Sequence, residues 1–225
     1  MSRAEPFVLA IDGPAASGKS TTARLVAERL GFRQADSGAL YRAATAARVR
    51  RGGTPDSWTE DSVFEAAATV TMVPGPTAFE VRLHGERADA EVRGTAVTAA
   101  VSRVAKMPRL RAWVKERMRE CARAGPIVVD GRDMGTVVFP QASLKVYLVA
   151  ASRERARRRA VERLGRLPSE AELAEEAAAL ERRDAMDAEQ SHPAPDAIEV
   201  DTTALTQEEQ VERIVALVRR RMGER

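Results

Sequence analysis

The residues Gly13-Pro14-Ala15-Ala16-Ser17-Gly18-Lys19-Ser20 have the spacing GxxxxGKS and follow directly on the apolar run Phe7-Val8-Leu9-Ala10-Ile11. Glycines at this spacing let the backbone close around a polyphosphate, so that successive N–H groups and the N-terminus of the next helix point at anionic oxygens. Lys19 is then placed to reach the β- and γ-phosphates and the Ser20 hydroxyl to hold Mg²⁺, with Thr21 in the same turn. The competing account is a Gly/Ser-rich turn ahead of a helix. The apolar strand before the loop and the helix pattern after it, which ends near Leu30, favour the phosphate loop.

Such a loop does not say what becomes of the nucleotide, because switches, motors and small-molecule kinases share it. Phosphoryl transfer asks a protein mainly for in-line positioning and positive charge around the transferring group. Arginine is abundant enough to supply that charge: Ser152 opens a stretch with Arg153, Arg155, Arg157, Arg158, Arg159, Arg163 and Arg166, and Arg182-Arg183 follow a Glu-rich segment. Arg155, Arg159 and Arg163 share one helix face at four-residue spacing. For most of these arginines a solvated helix with Arg–Glu pairs is the expected state, with one or two serving as lid arginines.

The elements that must position these groups alternate. Strands are expected at Phe32-Arg33-Gln34-Ala35, Ile127-Val128-Val129-Asp130, Leu144 to Val149 and Ile198-Glu199-Val200. Helices are expected from Ala39 to Arg51, Thr95 to Ala105, Arg109 to Ala124, from Ser152, from Ser169 with Glu172 as capping-box partner, and after Thr206 with Glu209. Thr69 to Val73 and Phe79 to Leu83, with turns at Pro74-Gly75-Pro76 and His84-Gly85-Glu86, form a small antiparallel insert. Alternation of this kind predicts an α/β fold with a central parallel sheet and ligands beyond the carboxyl ends of its strands, where the phosphate loop and Asp130 both fall.

Composition bounds the remaining possibilities. The 225 residues carry 36 basic and 33 acidic side chains, interleaved rather than blocked, for a net charge of +3. With few aromatics as well, nucleic acid is not expected as the partner. No charged-then-apolar leader or long apolar run is evident near Met1, so a cytoplasmic chain without a membrane span is expected, acting as a monomer. Cys121 is alone and expected to be packed, and His84 and His192 lack metal-ligand spacing.

Two motifs narrow the chemistry further. Asp36-Ser37-Gly38-Ala39-Leu40-Tyr41-Arg42 and Asp130-Gly131-Arg132-Asp133-Met134-Gly135-Thr136-Val137-Val138-Phe139-Pro140 closely resemble the bacterial cytidylate kinase family, and the likeness extends over essentially the whole chain, insert included. The resemblance implies a three-layer αβα phosphate-loop kinase with its core at about 1–36, 125–152 and 196–225. It further implies a nucleoside-monophosphate lobe at about 37–124 that contains the insert, and an Arg-rich helical lid at about 153–190. It implies Mg²⁺-ATP as donor, held by residues 13–21 and lid Arg159, and CMP or dCMP as acceptor.

Residue by residue, the resemblance assigns base reading to Ser102, Arg111 and Asp133, and monophosphate binding to Arg42, Arg132 and Arg183 with Ser37 in the same pocket. Asp187 is the implied ribose ligand, and Lys19, Arg132, Asp133 and Arg183 are the expected catalytic group. Asp130 ends its strand like a metal-orienting carboxylate and would join Ser20 at Mg²⁺; a helix cap is the competing account. For Ser102 the alternative is a solvent-facing helix residue, for Arg111 a surface salt bridge, and for Tyr41 core packing. A carboxylate beside the cytosine amine and an Arg opposite N3 and O2 would both be penalised by uracil, at about 1–3 kcal/mol for each polar group left unpaired. One position departs from the family's Arg-Asp-x-x-Asp-x-x-Arg: after Arg183-Asp184 and Asp187 the final Arg is Gln190, so recognition of the ribose is where the expectation is weakest. Acceptors such as UMP, AMP or a small alcohol, and a nucleotide-gated switch, are the other readings. The switch lacks an Asn-Lys-x-Asp guanine reader in a chain with no Asn.

Overall fold

The computed structural model describes residues 6–223. Five strands, β1 (Val8–Asp12), β2 (Arg33–Asp36), β6 (Ile127–Gly131), β7 (Leu144–Val149) and β8 (Ile198–Asp201), form one sheet in the order β2-β6-β1-β7-β8. Every pairing in it is parallel. Both faces are covered, which is why β1 reads as an unbroken apolar run. Val8 and Ala10 enter one core with residues of α2 (Ser37–Arg50) and α6 (Pro108–Ala122). Leu9 and Ile11 enter another with α1 (Lys19–Leu30) and α9 (Gln207–Met222).

Three short strands, β3 (Val70–Pro74), β4 (Phe79–Leu83) and β5 (Glu86–Arg87), make the expected antiparallel insert. Its β3–β4 turn is tied to the edge of the main sheet, where the Gln34 N–H donates to Thr77 O at 2.9 Å and Arg33 Nε to Gly75 O at 3.2 Å. The remaining helices are α3 (Glu60–Ala67), α4 (Asp89–Val92), α5 (Thr95–Val104), α7 (Ser152–Leu164) and α8 (Glu170–Asp187). Both predicted capping boxes are present, Ser169 with Glu172 and Thr206 with Glu209. Helix α3, capped by the Thr59 hydroxyl, was not expected from the sequence. Nor was the single wide turn over Met134–Val138, whose shape depends on a bond from β1 that lies far away in the chain. Helix α2 begins earlier than Ala39, because the Asp36 carboxylate accepts the Ala39 N–H at 3.1 Å and makes Ser37 the first helical residue. Among the described residues no helix is long and apolar enough to cross a membrane.

Sheet register decides where the site sits. Asp36 of β2 lies beside Asp130 of β6, and Asp12 of β1 beside Gly131 and Tyr147. The carboxyl ends of the central strands therefore deliver three aspartates and the two loops that follow them to one edge.

Candidate active site

The phosphate loop connects β1 to α1 in a conformation that its residue types explain. A Cβ on Gly13 would lie 2.4 Å from Leu148 O, so only glycine lets the loop pass β7. Gly18, with φ 86°, caps α1 and leaves the amides of its first turn turned outward. Ala16 also adopts a left-handed conformation, φ 56°, which costs a non-glycine residue about 1–2 kcal/mol. Lys19 is buried and its Nζ donates to Pro14 O at 2.8 Å. Burial, and then the charge of Arg132, hold its pKa well below the usual lysine value.

Beside the loop, the Ser20 hydroxyl donates to Asp130 Oδ2 at 2.5 Å, and Gln34 Nε2 donates to Asp130 Oδ1 at 2.8 Å. Asp130 is 1% exposed. Burial and the neighbouring Asp36 charge lift its pKa well above the ordinary carboxylate range, against the two hydrogen bonds. The helix-cap account of Asp130 is thereby replaced, since its side chain spans β2 and the start of α1. A buried carboxylate driven toward the neutral form is one that a cation would return to its charged form. With the adjacent hydroxyl it offers hard oxygen ligands of the kind Mg²⁺ takes beside phosphates and water. Among the described residues no cluster of three or more His, Cys, Asp or Glu offers an all-protein metal cage.

A cleft of about 370 Å³ opens from the loop across β6 and α2 to α5 and α8. It brings together Lys19, Ser20, Thr21, Ser37, Arg42, Ser102, Arg111, Asp130, Arg132, Asp133, Arg159, Arg183, Asp187 and Gln190. Of the loop residues, Ala15, Ala16 and Gly18 line it, whereas Gly13, Pro14 and Ser17 stand behind it as scaffold. Ser17 is fully buried, its hydroxyl without a partner.

The cleft has two chemically distinct walls. In one, the guanidinium groups of Arg42, Arg132, Arg159 and Arg183 share a field with Lys19. Burial first, and then the charges of Arg132 and Arg42, push Arg183 down to about 10, and Arg42 is lowered by burial and by Arg159. Asp187 Oδ2 is the carboxylate placed between two of these groups, 3.3 Å from Arg132 and 3.8 Å from Arg183. Arg132 Nη1 also donates to Gly13 O at 3.1 Å, which joins this wall to the phosphate loop. Cations that destabilise one another in a half-buried cleft constitute a site for an anion, and planar Arg forks suit a phosphate.

The other wall carries directional polar groups. Arg111 donates through Nη2 to Asp133 and through Nη1 to Gln190 Oε1 at 2.7 Å and Ala105 O at 3.2 Å. Ser102 is 6% exposed, so the solvent-facing alternative falls; Arg111 pairs inside the cleft rather than on the surface. Tyr41 both packs against the α2 core and faces this wall, and burial pushes its phenol above the ordinary range. Asp133 is held from behind: the Asp12 carboxylate accepts the N–H groups of Met134 at 2.9 Å and Gly135 at 2.7 Å.

Several functional-looking residues escaped the sequence reading. Asp12 and Gln34 have no motif that marks them, since their partners, the turn at Met134-Gly135 for Asp12 and Asp130 of β6 for Gln34, lie far away in the chain. Arg155 and Asp184 escaped for a different reason. The helix-face pattern predicts a solvated Arg ladder, but the face carrying Arg155, Arg159 and Arg163 packs against α8. Glu176 meets Arg159 at 3.2 Å and Arg163 at 3.3 Å, while Arg155 is buried against Asp184 at 2.6 Å. Cys121 is packed as expected, its thiol pushed up to about 11 by burial.

Comparison with known proteins extends beyond these loops. The family model for cytidylate kinase matches residues 9–220. A cytidylate kinase from Geobacillus kaustophilus (strain HTA426) is 44% identical over 222 residues, covering 96% of this chain and 97% of that protein. One from Geobacillus thermodenitrificans (strain NG80-2) is 43% identical over 222 residues, with 96% and 97% covered. One from Anoxybacillus flavithermus (strain DSM 21510 / WK1) is 41% identical over 221 residues, with 95% and 96% covered. Agreement that runs through both loops and almost end to end leaves one conclusion about descent: this chain belongs to the cytidylate kinase family.

Proposed function

We propose that the chain transfers the γ-phosphoryl group of ATP to CMP, and to dCMP, giving ADP and CDP or dCDP. The observation that carries the acceptor assignment is the Arg111–Asp133 pair, a donor fork and a carboxylate side by side in the cleft that the arginine cluster also lines. Asp133 accepts from the cytosine amine, Arg111 donates toward N3 and O2, and Ser102 completes the reading of the base edge. Uracil reverses the polarity at O4 and N3, and would leave buried polar groups unpaired.

In this reading Arg42, Arg132 and Arg183 grip the monophosphate, with Ser37 beside it. Ser37 is itself anchored by donating to Asp130 O at 2.9 Å. A CMP phosphate oxygen attacks the γ-phosphorus as the bond to the β–γ bridging oxygen breaks, and ADP leaves with that electron pair. Lys19, the loop amides of residues 13–21 and Arg159 hold the donor and spread the charge that moves toward the leaving group. Ser20 and Asp130 would hold Mg²⁺, which would supply charge neutralisation at the donor phosphates. Asp187 releases part of its hold on Arg132 and Arg183 to accept from the ribose, with Gln190 nearby.

We further propose that residues 37–124 form the acceptor lobe and that α7 and α8 act as the lid. Closing them over the cleft excludes water, which would otherwise compete as acceptor. The setting we infer is the cytoplasm, with free nucleotides as substrates and a monomer as the working unit. A panel of monophosphates with Mg²⁺-ATP tests the assignment: CMP and dCMP turn over fastest, UMP more slowly. AMP or a shikimate-like alcohol turning over as fast as CMP would overturn it.

A further inference from the structure

Two charged side chains of the lid helices neither line the cleft nor face solvent freely, yet both are spent on the backbone of one residue of the phosphate loop. The Ala15 N–H donates to Asp184 Oδ1 at 3.1 Å, and Ala15 O accepts from Arg155 Nη1 at 2.9 Å. The same Arg155 nitrogen meets Asp184 Oδ2 at 2.6 Å, closing a ring through α7, α8 and the loop. Arg155 is 6% exposed. The Ala15 methyl group is buried in a cluster with Ala156, Leu173 and Leu180 of the same two helices. The next residue is Ala16, whose φ of 56° is one that alanine leaves unless its surroundings impose it.

Joining α7 to α8 does not need this ring, since Glu176 already bridges them through Arg159 and Arg163. What the ring does uniquely is fix both backbone polar groups of the residue before the left-handed one. We propose that Arg155 and Asp184 are positioning residues for ATP: by clamping Ala15 they hold Ala16 in the cradle-forming conformation. Placement of the lid helices and affinity for the donor then become one equilibrium. The inference rests on the loop being the ATP cradle. It adds that the cradle of this chain is shaped from the lid rather than by its own glycines at that point.

The test measures ATP dissociation constants by calorimetry without acceptor, together with KM and kcat for ATP and CMP. The proteins are the parent, Asp184→Asn, Arg155→Lys and each of these with Ala16→Gly. Asn keeps an acceptor for the Ala15 N–H but not the charge opposite Arg155; Lys keeps the charge without the planar fork. Each single variant is expected to weaken ATP binding about fivefold while KM for CMP changes by less than about twofold. In the Ala16→Gly background the loss, measured against that background's own parent, falls below about twofold, because glycine takes positive φ about as readily as negative. An unchanged ATP affinity, an equal loss for ATP and CMP, or the same loss in both backgrounds would each overturn the proposal. If circular dichroism shows Asp184→Asn unfolded, Arg155→Lys carries the comparison by the same thresholds. A parent that does not bind ATP at all would overturn the cradle reading itself, whereas a parent that binds ATP beside unaffected variants overturns only this inference.

Discussion

The phosphate loop and the arginine-lined cleft are both built for anions, yet by different means. The loop uses backbone N–H groups, a helix N-terminus and one lysine, all within residues 13–21. The cleft uses side chains from α2, β6 and its following turn, α7 and α8, and their charges repel one another until a ligand arrives. A backbone device is stable when empty, because its dipoles are paid out along a helix that forms anyway. A cluster of guanidinium groups repels itself, and on the proposed reading an acceptor phosphate bound among them would relieve that repulsion.

That contrast can be broken most sharply at its one point of shared charge. Lys19→Met removes the cation of the phosphate loop itself and should lower kcat by about 10³-fold, read in a coupled ADP assay. Arg132→Met should act on the acceptor side, lowering kcat/KM for CMP by about 10²-fold with KM for ATP nearly unchanged. Equal effects on both substrates would mean that the loop and the arginine cluster are not separable, as the Arg132 bond to Gly13 O allows. Asp133→Asn changes the directional wall alone, and should cut the CMP/UMP preference about tenfold. An unchanged ratio would remove Asp133 from base reading. The smallest effect concerns the empty state: Arg183→Met relieves repulsion while keeping an apolar stem, and should raise the melting temperature of the unliganded protein by about 2–4 °C as it weakens CMP binding. A lowered melting temperature would show that pairing with Asp187 and the packing of the side chain already outweigh the repulsion.

How much was legible in advance follows from the same division. GxxxxGKS is readable because its function is local, and the strand and helix that frame it are nearest neighbours in the chain. The strands, both capping boxes and the antiparallel insert were legible for the same reason, each resting on short-range periodicity or a three-residue spacing. Asp36 to Arg42 and Asp130 to Pro140 carried their meaning only through likeness to a family, since nothing in the spacing says that Arg111 will meet Asp133. Helix α7 illustrates the failure. Its arginines at four-residue intervals look alike, but Arg155 is buried at the loop, Arg159 lines the cleft and Arg163 is half out in solvent. Periodicity reports a shared face, not what the face meets.

The chain by itself determined the donor cradle, the alternation that yields a parallel sheet, and the supply of arginine, because these depend on residue types and short separations. Only the tertiary structure decided which arginines share a field and that Asp130 stands between Ser20 and Gln34. It also decided that Asp12 supports the turn after Asp133, and that Ala15 is held from 140 and 169 residues away. These are pairings of single side chains across long sequence separations. Their energies arise from burial and charge that exist only once the strands are in register and the helices have closed on them.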